Sequence, residues 1–212
     1  MSKRLFYTNT SKIICNDKIY DFRILNKCIM SLCNVVCELK TQKPVVIYLD
    51  RNEFSIMSAL TLFSLGLTCV PIDTSFPRER VRNILNDCEA EVVITQDKFC
   101  NEFESKTVIN VNQLDYECDN ECSYDNYAIS DETVSFILYT SGTTGIPKGV
   151  EITRKGLLNF IDNMKEHFIF TKDTIMPCFS SVSFDVFFME TILPLSLGAT
   201  VILLNESEQK NP

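Results

Sequence analysis

Residues 134–149, Val-Ser-Phe-Ile-Leu-Tyr-Thr-Ser-Gly-Thr-Thr-Gly-Ile-Pro-Lys-Gly, constrain the fold of this chain more than any other stretch. An apolar run that reads as a buried strand empties into a loop of Ser, Thr, Gly, Pro and one Lys. Val150-Glu-Ile-Thr153 then reads as a second strand, so the unit is strand–loop–strand. Thr140, Ser141, Thr143 and Thr144 offer hydroxyls, Gly142 and Gly145 leave the backbone N–H groups open to close approach, and Lys148 adds a positive charge. A phosphate chain asks for those features. The phosphate loop of kinase-like and GTPase-like proteins reads G-x-x-x-x-G-K-[ST] and runs into a helix. Here Pro147 separates the glycines from Lys148 and a strand follows, which argues against that architecture. A bare hairpin turn would favour Asn-Gly or Asp-Gly and would leave the hydroxyls and the lysine unused.

Strand-like runs alternate with helical patterns along the rest of the chain, which predicts an α/β fold of mainly parallel sheets flanked by helices. Strands are expected at 45–49, 68–72, 91–95, 107–110, 134–140, 174–176 and 200–204. Asn52 can cap a helix over Glu53–Leu65 that stops at Gly66, and Pro77 opens a helix with Val81, Ile84, Leu85 and Cys88 on its apolar side. Thr153 is placed to cap a helix over Arg154–Phe168, and a further helix is expected near Phe184–Ser196. The expected division is a first α/β lobe over residues 1–130, then the phosphate-loop strand pair and the start of a second lobe over 131–212.

The stretch Phe54–Ile72 carries no charge and is long enough on count to span a bilayer, but its serines, threonines, Gly66 and Pro71 favour a helix, a stop and a buried strand. A formal net charge of −8 argues against a nucleic-acid surface. Much of that charge lies in Asp115–Asp125, expected to be a solvated loop. No apolar signal core follows Met1-Ser-Lys-Arg4, so the 10 cysteines do not imply an oxidising compartment and a cytoplasmic location is expected. Cys28, Cys33 and Cys37 sit where small apolar residues line a helix, and Cys118 and Cys122 lack a second Cys/His pair for zinc. His167, the one histidine, lies near the end of a helix and is expected to be a surface or packing residue rather than a ligand or general base.

Tyr139–Gly149 resembles the phosphate-binding signature of adenylate-forming enzymes, and within them is closest to the amino-acid adenylation domains of nonribosomal peptide synthetases. Two further blocks extend the resemblance. Leu65–Asp87, containing Val70-Pro-Ile-Asp-Thr-Ser-Phe-Pro77, is similar to the family's upstream block. Phe184-Asp-Val-Phe-Phe-Met-Glu190 with Leu193-Pro-Leu-Ser-Leu-Gly-Ala199 is similar to the block that carries the first substrate-pocket residues.

The resemblance implies a reaction in which an amino-acid carboxylate joins the α-phosphate of ATP with loss of pyrophosphate, assisted by Mg2+, before a carrier protein's phosphopantetheine thiol takes the aminoacyl group. Thr140, Ser141, Gly142, Thr143, Thr144, Gly145 and Lys148 would hold the ATP phosphates. Asp185 would accept the substrate's α-ammonium group, and Val186 and Met189 would line an apolar part of the side-chain pocket. Set among Phe184, Val186, Phe187 and Phe188, Asp185 is in an expensive place for a carboxylate without a cationic partner, although it can also serve as a helix N-cap.

Two departures from the family pattern stand out. The position that is usually His is Arg154, which opposes the dipole at a helix start and is expected either to serve an anion or to lie exposed. The family's adenine, ribose, metal-binding and C-terminal lysine motifs are not found in residues 1–212, so this polypeptide is expected to be catalytically incomplete alone, with the metal ligand and the remainder of the adenylation domain lying beyond residue 212. Competing expectations are an acyl-CoA ligase, which Asp185 disfavours, a D-alanine–carrier ligase, and a non-catalytic remnant that serves as a binding module.

Overall fold

In the computed structural model, residues 7–116, 129–140 and 147–205 are described; the acidic stretch beyond Tyr116, with Cys118 and Cys122, and the loop residues Ser141, Gly142, Thr143, Thr144 and Gly145 lie outside them. Two sheets organise the described residues. The larger takes β3 (Val45–Tyr48), β4 (Cys69–Pro71), β5 (Val92–Thr95), β6 (Thr107–Asn110), β7 (Val134–Thr140) and β8 (Lys148–Thr153) in the order β6-β5-β3-β4-β7-β8. Its pairs are parallel except β7 with β8. The smaller takes β1 (Lys12–Cys15), β2 (Lys18–Tyr20), β9 (Ile175–Cys178) and β10 (Thr200–Leu203) in the order β2-β1-β10-β9. Strand pairing crosses residue 130 in both sheets: β7 and β8 complete the larger one, and β1 pairs in parallel with β10.

The short strands β1 and β2 carry too few residues to stand out in the sequence. Asn16 and Asp17 join them in a two-residue turn with φ of 48° and 61°, the left-handed pair that a tight hairpin of this kind requires.

Side chains of the larger sheet divide by parity. Val45, Ile47 and Leu49 join the core shared with the smaller sheet, whereas Val46 and Tyr48 pack with Val81, Ile84 and Leu85 of α3 (Arg78–Asp87). Between the sheets runs α2 (Glu53–Leu65), beside α1 (Phe22–Leu39). Every α2 residue from Ser55 to Leu65 is buried, which explains why this segment lacks charge: it is a helix enclosed on all sides. It begins where Asn52 Oδ1 accepts the Phe54 N–H at 3.0 Å and ends at Gly66, whose φ of 72° suits glycine. A Cβ on Gly66 would also stand 2.8 Å from Ile129 Cγ1. Among the described residues no helix is long and apolar enough to cross a membrane.

Helix α4 (Arg154–His167) starts as expected, with Thr153 Oγ1 accepting the Gly156 N–H at 3.1 Å; His167 is exposed in its last turn. The single helix expected near 184–196 is instead two, α5 (Val186–Glu190) and α6 (Ile192–Ser196). Pro194 has no N–H to give the Glu190 carbonyl, so a continuous helix would lose a rung there. Thr191 (φ −127°, ψ −70°) makes the break, with its hydroxyl donating to the Phe187 carbonyl.

Candidate functional site

The β7–β8 pair flanks the loop expected to bind phosphate, and its last rung joins Thr140 to Lys148. Both residues are exposed at its mouth. The arms close tightly because of Gly149, opposite Tyr139: a Cβ there would stand 2.8 Å from Ile137 Cγ2 and 3.2 Å from Tyr139 Cζ. Tyr139 ties the hairpin to α3 by donating its hydroxyl to Asp87 Oδ2 at 2.6 Å. Burial first, and the Asp87 carboxylate second, push that phenol well above its ordinary range.

Arg154, next to the hairpin, is neither exposed nor turned to an external anion. It is 7% exposed, donates to the Phe63 carbonyl in the last turn of α2 at 3.0 Å, and lays its guanidinium 4.1 Å over the Phe63 ring. The expectation that it opposes a helix start considered α4 alone; the side chain reaches the negative end of another helix, where a cation is favoured. Burial lowers its pKa, and Asp131 partly opposes that effect.

Asp185, Val186 and Met189 are brought together. They line a cavity of about 220 Å³ whose other wall comes from Ile152 of β8 and from Gly156, Leu157 and Phe160 of α4. Phe188 closes its floor, tilted against Phe136 of β7 with ring centroids 4.6 Å apart. Asp185 is not enclosed by its aromatic neighbours. Helical geometry turns Phe187 and Phe188 inward and leaves Phe184 and Val186 59% and 46% exposed, with the carboxylate facing solvent beside them. Desolvation therefore does not compel a cationic partner. The carboxylate does act at the helix start, accepting the Val186 N–H at 2.9 Å, which leaves further lone pairs for a ligand.

Strand β8 links the two regions. Side chains alternate along a strand, so Lys148, Val150 and Ile152 share one face, with Lys148 and Ile152 about 13 Å apart along it. Lys148 and the Ile152 wall of the cavity thus belong to one strand face.

A second cavity, of about 350 Å³, opens between the sheets at the carboxyl ends of their strands, where Arg51, Asp73, Phe179 and Ser181 meet. Sequence reasoning missed it because its lining comes from four separate segments. Arg51 crosses from the larger sheet to the smaller, donating to the carbonyls of Leu204 at 2.6 Å, Cys178 at 2.5 Å and Ser180. Burial raises the Asp73 pKa, but hydrogen bonds from Ser181 and Ser75 and the Arg51 charge outweigh it and hold the carboxyl below its ordinary range. Burial likewise pushes the Cys178 thiol up to about 12. Among the described residues no group of three or more His, Cys, Asp or Glu side chains could hold a metal ion.

A family model described as AMP-binding enzyme matches residues 9–212. Gramicidin S synthase 2 of Brevibacillus brevis is 32% identical over 174 residues, which cover 80% of this chain and 4% of that protein. The dimodular nonribosomal peptide synthase of Bacillus subtilis (strain 168) is 26% identical over 208 residues, 94% of this chain and 9% of that protein. The chain thus spans a small part of these relatives. Among solved structures, a four-domain nonribosomal peptide synthetase bound to AMP and glycine matches 92% of this chain and 14% of its own, with a TM-score of 0.78 at 24% identity. A fatty acyl-adenylate ligase from L. pneumophila, in complex with acyl adenylate and pyrophosphate, matches 95% of this chain and 38% of its own, with a TM-score of 0.78 at 16% identity. Likeness at these identities speaks for the fold.

Proposed function

This chain belongs to the AMP-binding enzyme family, and from that membership we propose that it serves in the ATP-dependent activation of an amino acid. The observation that carries the reading is the shared face of β8, which runs from Lys148 at the phosphate-loop mouth to a cavity lined by Asp185, Val186 and Met189. Backbone N–H groups and hydroxyls of residues 140–145 hold the β- and γ-phosphates of ATP, and Lys148 offsets their charge. Asp185 accepts the substrate's ammonium group, and Val186 and Met189 line its side chain. So oriented, a carboxylate oxygen attacks the α-phosphorus, the bond to the β-phosphate oxygen breaks, and pyrophosphate leaves with that electron pair. The aminoacyl group then passes to the phosphopantetheine thiol of a carrier protein. The role assigned to residues 1–212 is binding and orientation; turnover also draws on the adenine, ribose and Mg2+ contacts that the family resemblance puts outside them.

The test is equilibrium binding by ligand-observed NMR, comparing leucine, valine and phenylalanine with the matching acids that lack the amino group. The apolar wall of the cavity makes these suitable probes. A solvent-facing ion pair of ~1 kcal/mol predicts about fivefold tighter binding of at least one amino acid than of its partner acid, lost in Asp185→Asn. Equal binding of acid and amino acid by the unaltered chain would refute the amino-acid reading and favour an acyl-acid ligand.

A further inference from the structure

We propose that Glu190 is a positioning residue for substrate recognition: it fixes Asp185 for the ammonium group without touching the substrate, an inference that rests on the function proposed above. Residues 179–184 connect β9 to Asp185 and contain no helix or strand. Glu190, the last residue of α5, reaches back to the start of this connection, where its Oε2 accepts the N–H groups of Phe179 at 2.9 Å and Ser180 at 2.7 Å. A carboxylate at a helix C-terminus faces the negative end of the dipole, so Glu190 sits there at a cost that these two donors offset.

The closure has a mechanical result. The smaller sheet fixes β9, and buried Phe187 and Phe188 fix the inner side of α5. Any sliding or rotation of this five-residue helix would carry Asp185, Val186 and Met189 with it. Glu190 fastens the far end of that helix to the first two amides after β9 and so closes a ring through Asp185. The same connection is held from its other side, where Arg51 donates to the Ser180 carbonyl and Ser181 donates to Asp73. Those contacts set the connection against the larger sheet, and of the four side chains involved, Glu190, Arg51, Ser181 and Asp73, Glu190 is the one carried by α5 itself.

The experiment measures leucine and 4-methylpentanoate binding, with valine and phenylalanine and their partner acids in parallel, in the unaltered chain and in Glu190→Ala, Glu190→Gln, Asp185→Asn and the Glu190→Ala/Asp185→Asn double variant. Glu190→Ala is expected to reduce the preference for amino acid over acid from about fivefold to below twofold, while acid binding changes by less than about twofold. Glu190→Gln keeps a carbonyl oxygen that accepts the same two N–H groups and should retain the preference. In the Asp185→Asn background, Glu190→Ala should cause no further loss of preference, because the two residues act as one unit. Unchanged preference in Glu190→Ala, or equal weakening of both ligand types, would overturn the proposal and leave Glu190 a structural residue. If Glu190→Ala does not fold, Glu190→Asp, too short to span both amides, must lose the preference in its place. An unaltered chain that shows no preference, or Asp185→Asn that keeps it, would refute the functional reading itself and this proposal with it.

Discussion

Replacing Arg154 with Ala removes a buried cation from the junction between the β7–β8 hairpin and α4. The structure sets the scale of the loss. A hydrogen bond from a charged donor contributes about 1.5–3 kcal/mol, and a desolvated cation over an aromatic face about 2 kcal/mol. Two considerations reduce the sum. The Phe63 carbonyl also accepts the Gly66 N–H at 3.1 Å, so it does not lose its last partner. The guanidinium no longer has to be desolvated, a cost that its lowered pKa expresses. The expected net loss is ~2–3 kcal/mol, or about 4–12 °C in Tm for a chain of this size. Urea denaturation of Arg154→Ala, Phe63→Leu and the double variant should give a coupling of ~1 kcal/mol between the two positions. Arg154→Lys should recover the charge but not the stacking and fall between Arg and Ala. A loss below ~0.5 kcal/mol in Arg154→Ala, with no coupling to Phe63, would refute the account, because exposed side chains give values of that size.

Gly149→Ala should destabilise the hairpin by ~1–2 kcal/mol, because its Cβ would stand 2.8 Å from Ile137 Cγ2; a smaller penalty in the Ile137→Ala background, read from thermal melts, would confirm the clash. Stability should fall at alkaline pH. Burial raises the Cys69, Cys88 and Cys178 thiols and the Tyr7, Tyr20, Tyr116 and Tyr139 phenols in the folded chain. The unfolded chain therefore releases protons first, and the native state loses ground above about pH 8.5 and faster above about 10. Urea midpoints at pH 7, 9 and 11 should decline in that order, and a flat profile would count against the burial of these groups.

Local signals with a fixed chemical meaning translated well from sequence to structure. Asn52, Gly66 and Thr153 mark helix ends because each acts on backbone two to four residues away. Apolar runs such as Val45–Tyr48 became parallel strands buried on both faces. What the sequence left hidden depends on distant partners. β1 takes its place from a strand near the other end of the described chain, and Arg154 finds its carbonyl 91 positions away. Asp185 shows the same limit: apolar neighbours in sequence implied burial, but helical geometry distributed them to opposite sides. The cavity wall joins Ile152 of β8 to Leu157 and Phe160 of α4, and only packing revealed that these residues meet α5.

The pairing of β1 with β10 makes the smaller sheet a late event in synthesis. Thr10 donates its hydroxyl to the carbonyl of Gly198, 188 positions downstream. A ribosome adding about 5–20 residues each second needs on the order of 10–40 s to travel that distance. Through that interval the β1–β2 hairpin has a hydrogen-bonding edge without its partner, while the strands and helices between Val45 and Thr153 can already assemble on the larger sheet. The nascent chain is thus expected to wait with its first strands exposed, and slowing translation before residue 200 should lengthen its exposure to chaperones and to mispairing.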